Sequence, residues 1–287
     1  MKLKHLLQYD YIQGFESLLV TDFEKDLFVA SLRNYCSHGN PLRFHNFAFS
    51  MRELVLQVIN RKAPDSAVKK ASWYEKESER FDVTRRQKLK YCAQRYLADS
   101  YLDDFTLEEL NMSIKNYLKE FNFFNKYTHI TEKYFKACPK KFYEDMKNII
   151  QRSREVIEEI DSMENLVTNS IPVTIQDHIF GYIINNFPSD LDILASNVII
   201  DSVSPEELEI TYLEDNGITI AVSGTVYVSQ EYGKGEDFTS LSENYPFSVS
   251  VALSVDDPTD VSLDEADFEI DTSSWFGVEN EIEEIEA

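Results

Sequence analysis

Leu208-Glu209-Ile210-Thr211-Tyr212-Leu213-Glu214-Asp215-Asn216-Gly217-Ile218-Thr219-Ile220-Ala221-Val222 is the stretch that decides the fold class. Its apolar residues follow a period of two on both sides of Asp215-Asn216-Gly217, and that tripeptide is a strong hairpin signal. Working outward, Val198 and Ile200 before it and Phe247, Val249, Val251 and Leu253 after it keep the same period. A meander-like antiparallel sheet of about five strands is therefore expected in the C-terminal part. Gly233-Lys234-Gly235 reads as another hairpin tip, since it lacks the length and strand-to-helix setting of a phosphate loop.

Upstream the period changes to that of a helix. Thr21 or Asp22 is placed to cap a helix with Phe28, Leu32, Tyr35 and Cys36 on one face, ended by Gly39. Asn40 and Pro41 open the next, in which Phe44, Phe47, Ala48, Met51, Val55 and Val58 recur at helical spacing as far as Lys62-Ala63-Pro64. Further helices are expected over Asp82–Ala98, after a capping box at Thr106-Leu107-Glu108-Glu109, after Thr131, and from about Lys140 toward Leu166. Asn169-Ser170-Ile171-Pro172 is the expected joint, followed by a last short helix from Ile175 to Phe187 that Pro188 stops. The reading is α+β: an N-terminal all-helical bundle over 1–170, a smaller antiparallel β-sheet domain over 173–278, and a disordered acidic tail over 279–287.

Charge divides the chain in nearly the same place. Residues 1–154 hold 27 Lys and Arg against 20 Asp and Glu, whereas residues 155–287 hold Lys234 alone against 31 acidic residues. Such an asymmetry suits a first part that meets polyanions and a second that repels them or docks a basic partner. Lys2, Lys4 and His5 precede only Leu6-Leu7, too short a run for a signal-peptide core. No apolar stretch approaches the roughly 20 residues of a membrane span, so a cytoplasmic protein without membrane contact is expected. Cys36, Cys92 and Cys138 are odd in number and far apart, the pattern of buried free thiols.

Chemistry centres on Arg33-Asn34-Tyr35-Cys36-Ser37-His38. Attack of a ribose 2′-hydroxyl on the adjacent phosphate needs a proton acceptor that titrates near neutrality and a fixed cation where charge grows, roles that His38 and Arg33 fill by type. Asn34 stands four residues before His38, able to orient the ring on one helical face. Arg33 and His38, five apart, diverge by about 140° in a continuous helix and converge only if the helix ends near His38 or two chains combine. An exposed helix terminus, with His38 against the last carbonyls and Arg33 solvated, would carry the same residues.

Downstream, Arg43, Asn46, Ser50, Glu53 and Gln57 form a polar stripe opposite the apolar face. Between Arg61 and Arg95 stand Lys69, Lys70, Arg85 and Arg86 among other cations, with Trp73, Tyr74 and Tyr91 interleaved. Phosphate-binding cations beside stacking rings suit single-stranded RNA, although Glu75, Glu77 and Glu79 also allow a salt-bridged surface. Neither the five histidines nor the aspartates from Asp256 to Asp271 have metal-ligand spacing, so no metal or cofactor is expected.

Arg33, Asn34 and His38 resemble the RNxxxH motif of the HEPN superfamily of all-helical ribonucleases, where it comes late in the bundle rather than after about one helix. The resemblance implies metal-independent RNA cleavage at a site usually assembled by two protomers, hence a homodimer. A second resemblance is wider. The segment from Asn40-Pro41-Leu42-Arg43-Phe44-His45-Asn46 to Arg52-Glu53-Leu54 is similar to the N-terminal signature of bacterial predicted pPIWI-associating nucleases. Gly224-Thr225-Val226, Tyr232-Gly233, Tyr245-Pro246-Phe247 and Asp271-Thr272-Ser273-Ser274 also resemble segments of those proteins. It implies a nuclease of defence or toxin-type loci. The expectation is thus an endoribonuclease with Arg33, Asn34 and His38 catalytic and Arg43, Asn46, Lys69, Lys70, Arg85 and Arg86 on the RNA. The alternative is a non-enzymatic adaptor whose acidic β domain binds a basic partner such as a nuclease or an Argonaute-like effector.

Overall fold

The computed structural model describes residues 2–130, 132–135, 139–188, 197–233, 237–263 and 267–276. The architecture is α+β, and the chain divides into two units, Met1–Ser170 and Ile171–Ala287. In chain order the helices are α1 (Leu3–Leu6), α2 (Asp10–Glu16), α3 (Asp22–Cys36), α4 (Arg43–Lys62), α5 (Asp65–Val68), α6 (Arg85–Gln94), α7 (Asp104–Phe121), α8 (Asn125–Thr128), α9 (Glu132–Phe135) and α10 (Pro139–Asn185).

A hairpin of α3 and α4 forms the centre of the first unit. Thr21 starts α3 with a full capping box, its side chain accepting from the Glu24 N–H at 3.1 Å while the Glu24 carboxylate accepts from the Thr21 N–H. Glu24 is 2% exposed and also accepts from Arg61 Nε at 2.7 Å, so the first turn of α3 is tied to the last turn of α4. Each charge also suits the dipole of its own helix end. Phe28, Leu32 and Tyr35 meet the buried face of α4, where Phe44, Phe47, Ala48, Met51, Val55 and Val58 all lie as their spacing requires.

Four local expectations need correction. Asn40 is not the cap of α4: its side chain accepts from the Leu42 N–H at 2.9 Å, making a tight turn before the helix starts at Arg43. Thr106 is not a cap either, because Asp103 stands three residues earlier and its carboxylate takes the Thr106 N–H at 2.7 Å. The helix expected over 82–98 is the shorter α6, with Thr84 and Gln87 as its capping box and Arg95 at φ 52° ending it. Finally, α10 runs unbroken through Pro172. Met163, Val167, Ile171, Ile175, Ile179 and Ile183 are all buried at a spacing of four, and burying that stripe outweighs the backbone hydrogen bond that proline removes.

The sheet of the second unit comprises β1 (Asn197–Glu214), β2 (Gly217–Tyr232), β3 (Thr239–Leu253), β4 (Val261–Ser262) and β5 (Glu269–Ile270). Its order is β1-β2-β3-β4, all antiparallel, with β5 also pairing with β3. Glu214 pairs with Gly217 across the expected hairpin, and β2 connects antiparallel to β3 across the Gly233 region, where Lys234 and Gly235 lie outside the described residues. One face is buried by alternation: Ile218, Ile220, Val222, Val226 and Val228 on β2 and Tyr245, Phe247, Val249, Val251 and Leu253 on β3. The runs near Val198 and Leu208 belong to one long strand, bent by register shifts beside Ile200, Pro205 and Ile210. Pro205 is tolerated because β1 is an edge strand. Opposite it, Gly224 admits the close approach: a Cβ there would collide with the Ser204 carbonyl oxygen and lie 2.7 Å from Pro205 Cα. Among the described residues no helix is long and apolar enough to cross a membrane, and no acidic, histidine or cysteine cluster could hold a metal. The acidic tail lies outside the described residues.

Candidate functional site

The turn between α3 and α4 decides where the chemistry-bearing residues go. The His38 N–H bonds the Cys36 carbonyl at 2.9 Å around Ser37, whose φ of −78° and ψ of 73° make an inverse γ-turn. His38 therefore leaves the helix path, and the angular offset of a continuous helix no longer applies to it. Arg43 Nη1, from the first residue of α4, approaches His38 Nδ1 to 2.7 Å. Arginine has only donors, so Nδ1 accepts in this contact, the role it has in the tautomer that carries its proton on Nε2.

Arg43 is the buried member of this pair. It is 9% exposed, donates to the Tyr35 carbonyl at 3.3 Å, and lies over the rings of Tyr35 and Phe142 at 5.6 and 5.2 Å. Burial pushes the Tyr35 phenol up to about 12 despite the nearby guanidinium. His38 is exposed. The polar stripe is thus broken at its first residue, where the guanidinium sits among rings and only the imidazole faces outward.

Arg33 is exposed and enters no hydrogen bond or ion pair among the described residues. The structure does not join it to His38. Asn34 reaches across to Ser50 Oγ at 3.5 Å, and Ser50 Oγ donates to the Asn46 carbonyl at 2.8 Å, so these residues link α3 to α4 rather than orienting the ring. Arg43 takes that role, and its chain position five residues after His38 was the signal available in the sequence.

The cations from Arg61 to Arg95 are largely committed within the fold. Lys69 and Lys76 share Asp82 at 2.9 and 3.0 Å, and these two cations hold its carboxyl down at about 2. Arg86 meets Glu77 at 2.8 Å, Lys90 meets Asp99 at 2.7 Å, and Arg95 meets Glu164 at 2.6 Å. Lys70 is exposed. Trp73 donates to the Arg95 carbonyl and lies under Lys90, while Tyr91 is buried, so neither ring is set out as a stacking platform. Arg85 differs from the rest, being half-buried, stacked on Phe121 and joined to no carboxylate among the described residues. Arg52 and Tyr117, which the pattern of the sequence did not single out, are its neighbours.

Two family models, each described as Predicted pPIWI-associating nuclease, match the chain, one over residues 16–159 and the other over 160–276. No curated protein and no solved structure matches it. The description suggests a nuclease-type role for both units. Since the first match takes in α3, α4 and the turn between them, and the second runs through the sheet, the chain belongs to the family of predicted pPIWI-associating nucleases.

Proposed function

We propose that this protein is an endoribonuclease that acts without a metal ion, with the α3–α4 turn as its site and His38 as the group that meets the scissile phosphate. The observation that carries the reading is the 2.7 Å contact from buried Arg43 to exposed His38, which fixes one imidazole orientation at the surface of a nuclease-family chain. In this state Nε2–H is the donor and suits a phosphoryl oxygen that gains charge. In the reaction O2′ attacks phosphorus, the bond to O5′ breaks, and the O2′ proton is removed as one is delivered to O5′. For His38 to accept that first proton at Nε2, its own proton must move to Nδ1, so Arg43 must release the ring as substrate enters. Arg43 is a positioning residue here, and Arg33 is the exposed cation on the last turn of α3.

The test uses the full-length chain, end-labelled RNA and excess EDTA. Wild type should yield 2′,3′-cyclic phosphate and 5′-hydroxyl ends, and H38A should lose cleavage by about a hundredfold or more with its fold unchanged. R43Q should shift the pH profile rather than abolish the reaction. Cleavage by H38A at the wild-type rate, or none by wild type with any RNA tried, removes the assignment. A second reading, a non-enzymatic adaptor, is favoured by Glu206, Glu207, Glu209 and Glu214, exposed carboxylates along edge strand β1. A basic partner held there should dissociate as salt rises.

A further inference from the structure

Nine residues beyond Arg43, and half a turn round α4, stands Arg52. Its Nε is buried and meets no hydrogen-bond partner among the described residues. From α6, the Arg85 guanidinium carbon lies 4.1 Å from the centroid of Phe121. Phe121 in turn stacks on Tyr117, with centroids 6.4 Å apart and planes inclined by 15°. Tyr117 is 2% exposed, and its hydroxyl is buried without a partner among the described residues. Two cations and a phenol from three helices are thus neighbours, and two of their polar atoms, Arg52 Nε and the Tyr117 hydroxyl, are buried without a partner among the described residues.

Such a cluster is costly as it stands. A buried donor left unmade carries its desolvation penalty uncompensated, and two guanidiniums drawn partly out of water repel one another. Burial, then the Arg52 charge, lowers the Arg85 guanidinium from its ordinary value, while burial raises the Tyr117 phenol and nearby Arg85 pulls it back. Glu53 acts on Arg85 without forming an ion pair. A bound anion would answer all three groups together. Guanidinium forks match phosphate oxygens, and a phenol donates to a third.

Charge and access define the anion. Two arginines suit a group carrying about two negative charges, which a phosphate monoester has and a diester lacks. Buried acceptor-seeking atoms are reached by a group that enters end-on, whereas an internal diester must leave on both sides. Tyr117 also lines a cavity of about 400 Å³ with Asn116, Glu120, Arg152, Glu155 and Glu159, to whose lining Arg52 and Arg85 do not belong. That volume lies within the roughly 300–1,000 Å³ of small-ligand sites, and its carboxylates can accept from sugar hydroxyls or base amino groups.

We propose that Arg52, Arg85 and Tyr117 form a receptor for the terminal phosphate of a nucleoside 5′-phosphate, free or at the end of a strand, apart from the α3–α4 turn. The test is a binding titration of the full-length chain and requires no cleavage. Its probes are adenosine 5′-monophosphate, adenosine, and one RNA oligonucleotide with and without a 5′-phosphate. Phosphorylated probes should bind at least about tenfold more tightly than their unphosphorylated forms, and R52Q and R85Q should each remove most of that preference. Tightening by the mononucleotide identifies a free ligand; tightening by the oligonucleotide alone identifies a strand end. Y117F, which keeps the ring stack, should weaken the phosphorylated probe severalfold. Circular dichroism shows whether each variant is folded, and R52K stands in for R52Q if that one is not. Equal affinity for both forms of each probe, or an undiminished preference in the folded arginine variants, overturns the proposal.

Discussion

Replacing Glu24 by Gln keeps the shape of the side chain and removes its charge at the clamp between α3 and α4. The carboxylate accepts from three donors: Arg61 Nε at 2.7 Å, the Val20 N–H at 3.0 Å and the Thr21 N–H at 3.3 Å. An amide has one oxygen, so its NH₂ must face either the guanidinium or the two backbone donors. The charge-assisted bond carries about 1.5–3 kcal/mol and an unanswered buried donor costs about 1–3 kcal/mol; overlap between these leaves an expected loss of about 2–4 kcal/mol. Burial alone would raise the Glu24 carboxyl, but the Arg61 bond and the two backbone donors outweigh it and hold it below its ordinary value. A depressed folded value means that this stabilisation is complete above the unfolded carboxyl value of about 4.3 and is lost as pH falls through the folded one. Urea unfolding of wild type and E24Q should therefore show a constant gap from about pH 8 to about pH 5 that narrows in acid. A gap below about 0.5 kcal/mol at neutral pH, or one that persists unchanged at low pH, would refute the account.

Gly224→Ala should destabilise the sheet by about 1–3 kcal/mol or more, read by urea unfolding, because the added methyl meets backbone atoms of β1 that cannot turn aside. Tyr245→Phe removes the acceptor of the buried Gln230 amide at 2.9 Å and should cost about 1–3 kcal/mol in the same assay; a neutral result would show that the amide finds another partner. Burial pushes the Cys92 thiol up to about 11, whereas Cys36 is partly exposed. Brief alkylation of the native protein followed by peptide mapping should mark Cys36 and spare Cys92.

The helical hairpin and the sheet were legible because burial on one face leaves a period. Phe44 to Val58 and Ile218 to Val222 carry that period with little interruption, and both lie buried as spaced. Caps were less legible, since Asp103 and Thr106 are both good capping residues and only geometry decides between them. The continuity of β1 was hidden by Pro205 and by bulges that shift its register. Arg43 was assigned to a polar stripe because residue type suggests solvent, yet aromatic rings and a histidine receive its guanidinium. Arg52, Arg85 and Tyr117 come from three helices at no fixed spacing, so nothing short of coordinates brings them together.

The uninterrupted course of α10 past Pro172 bears on how the protein can be handled. A fragment cut after Ser170, where composition changes, would end in mid-helix and strip Ile171, Ile175, Ile179 and Ile183 from the stripe they continue. A fragment carried on to Asn185 would keep the rod whole but carry those four buried isoleucines without the rest of the unit to which they belong. The longer piece invites aggregation through that greasy seam, and work on it should begin by making those four positions polar.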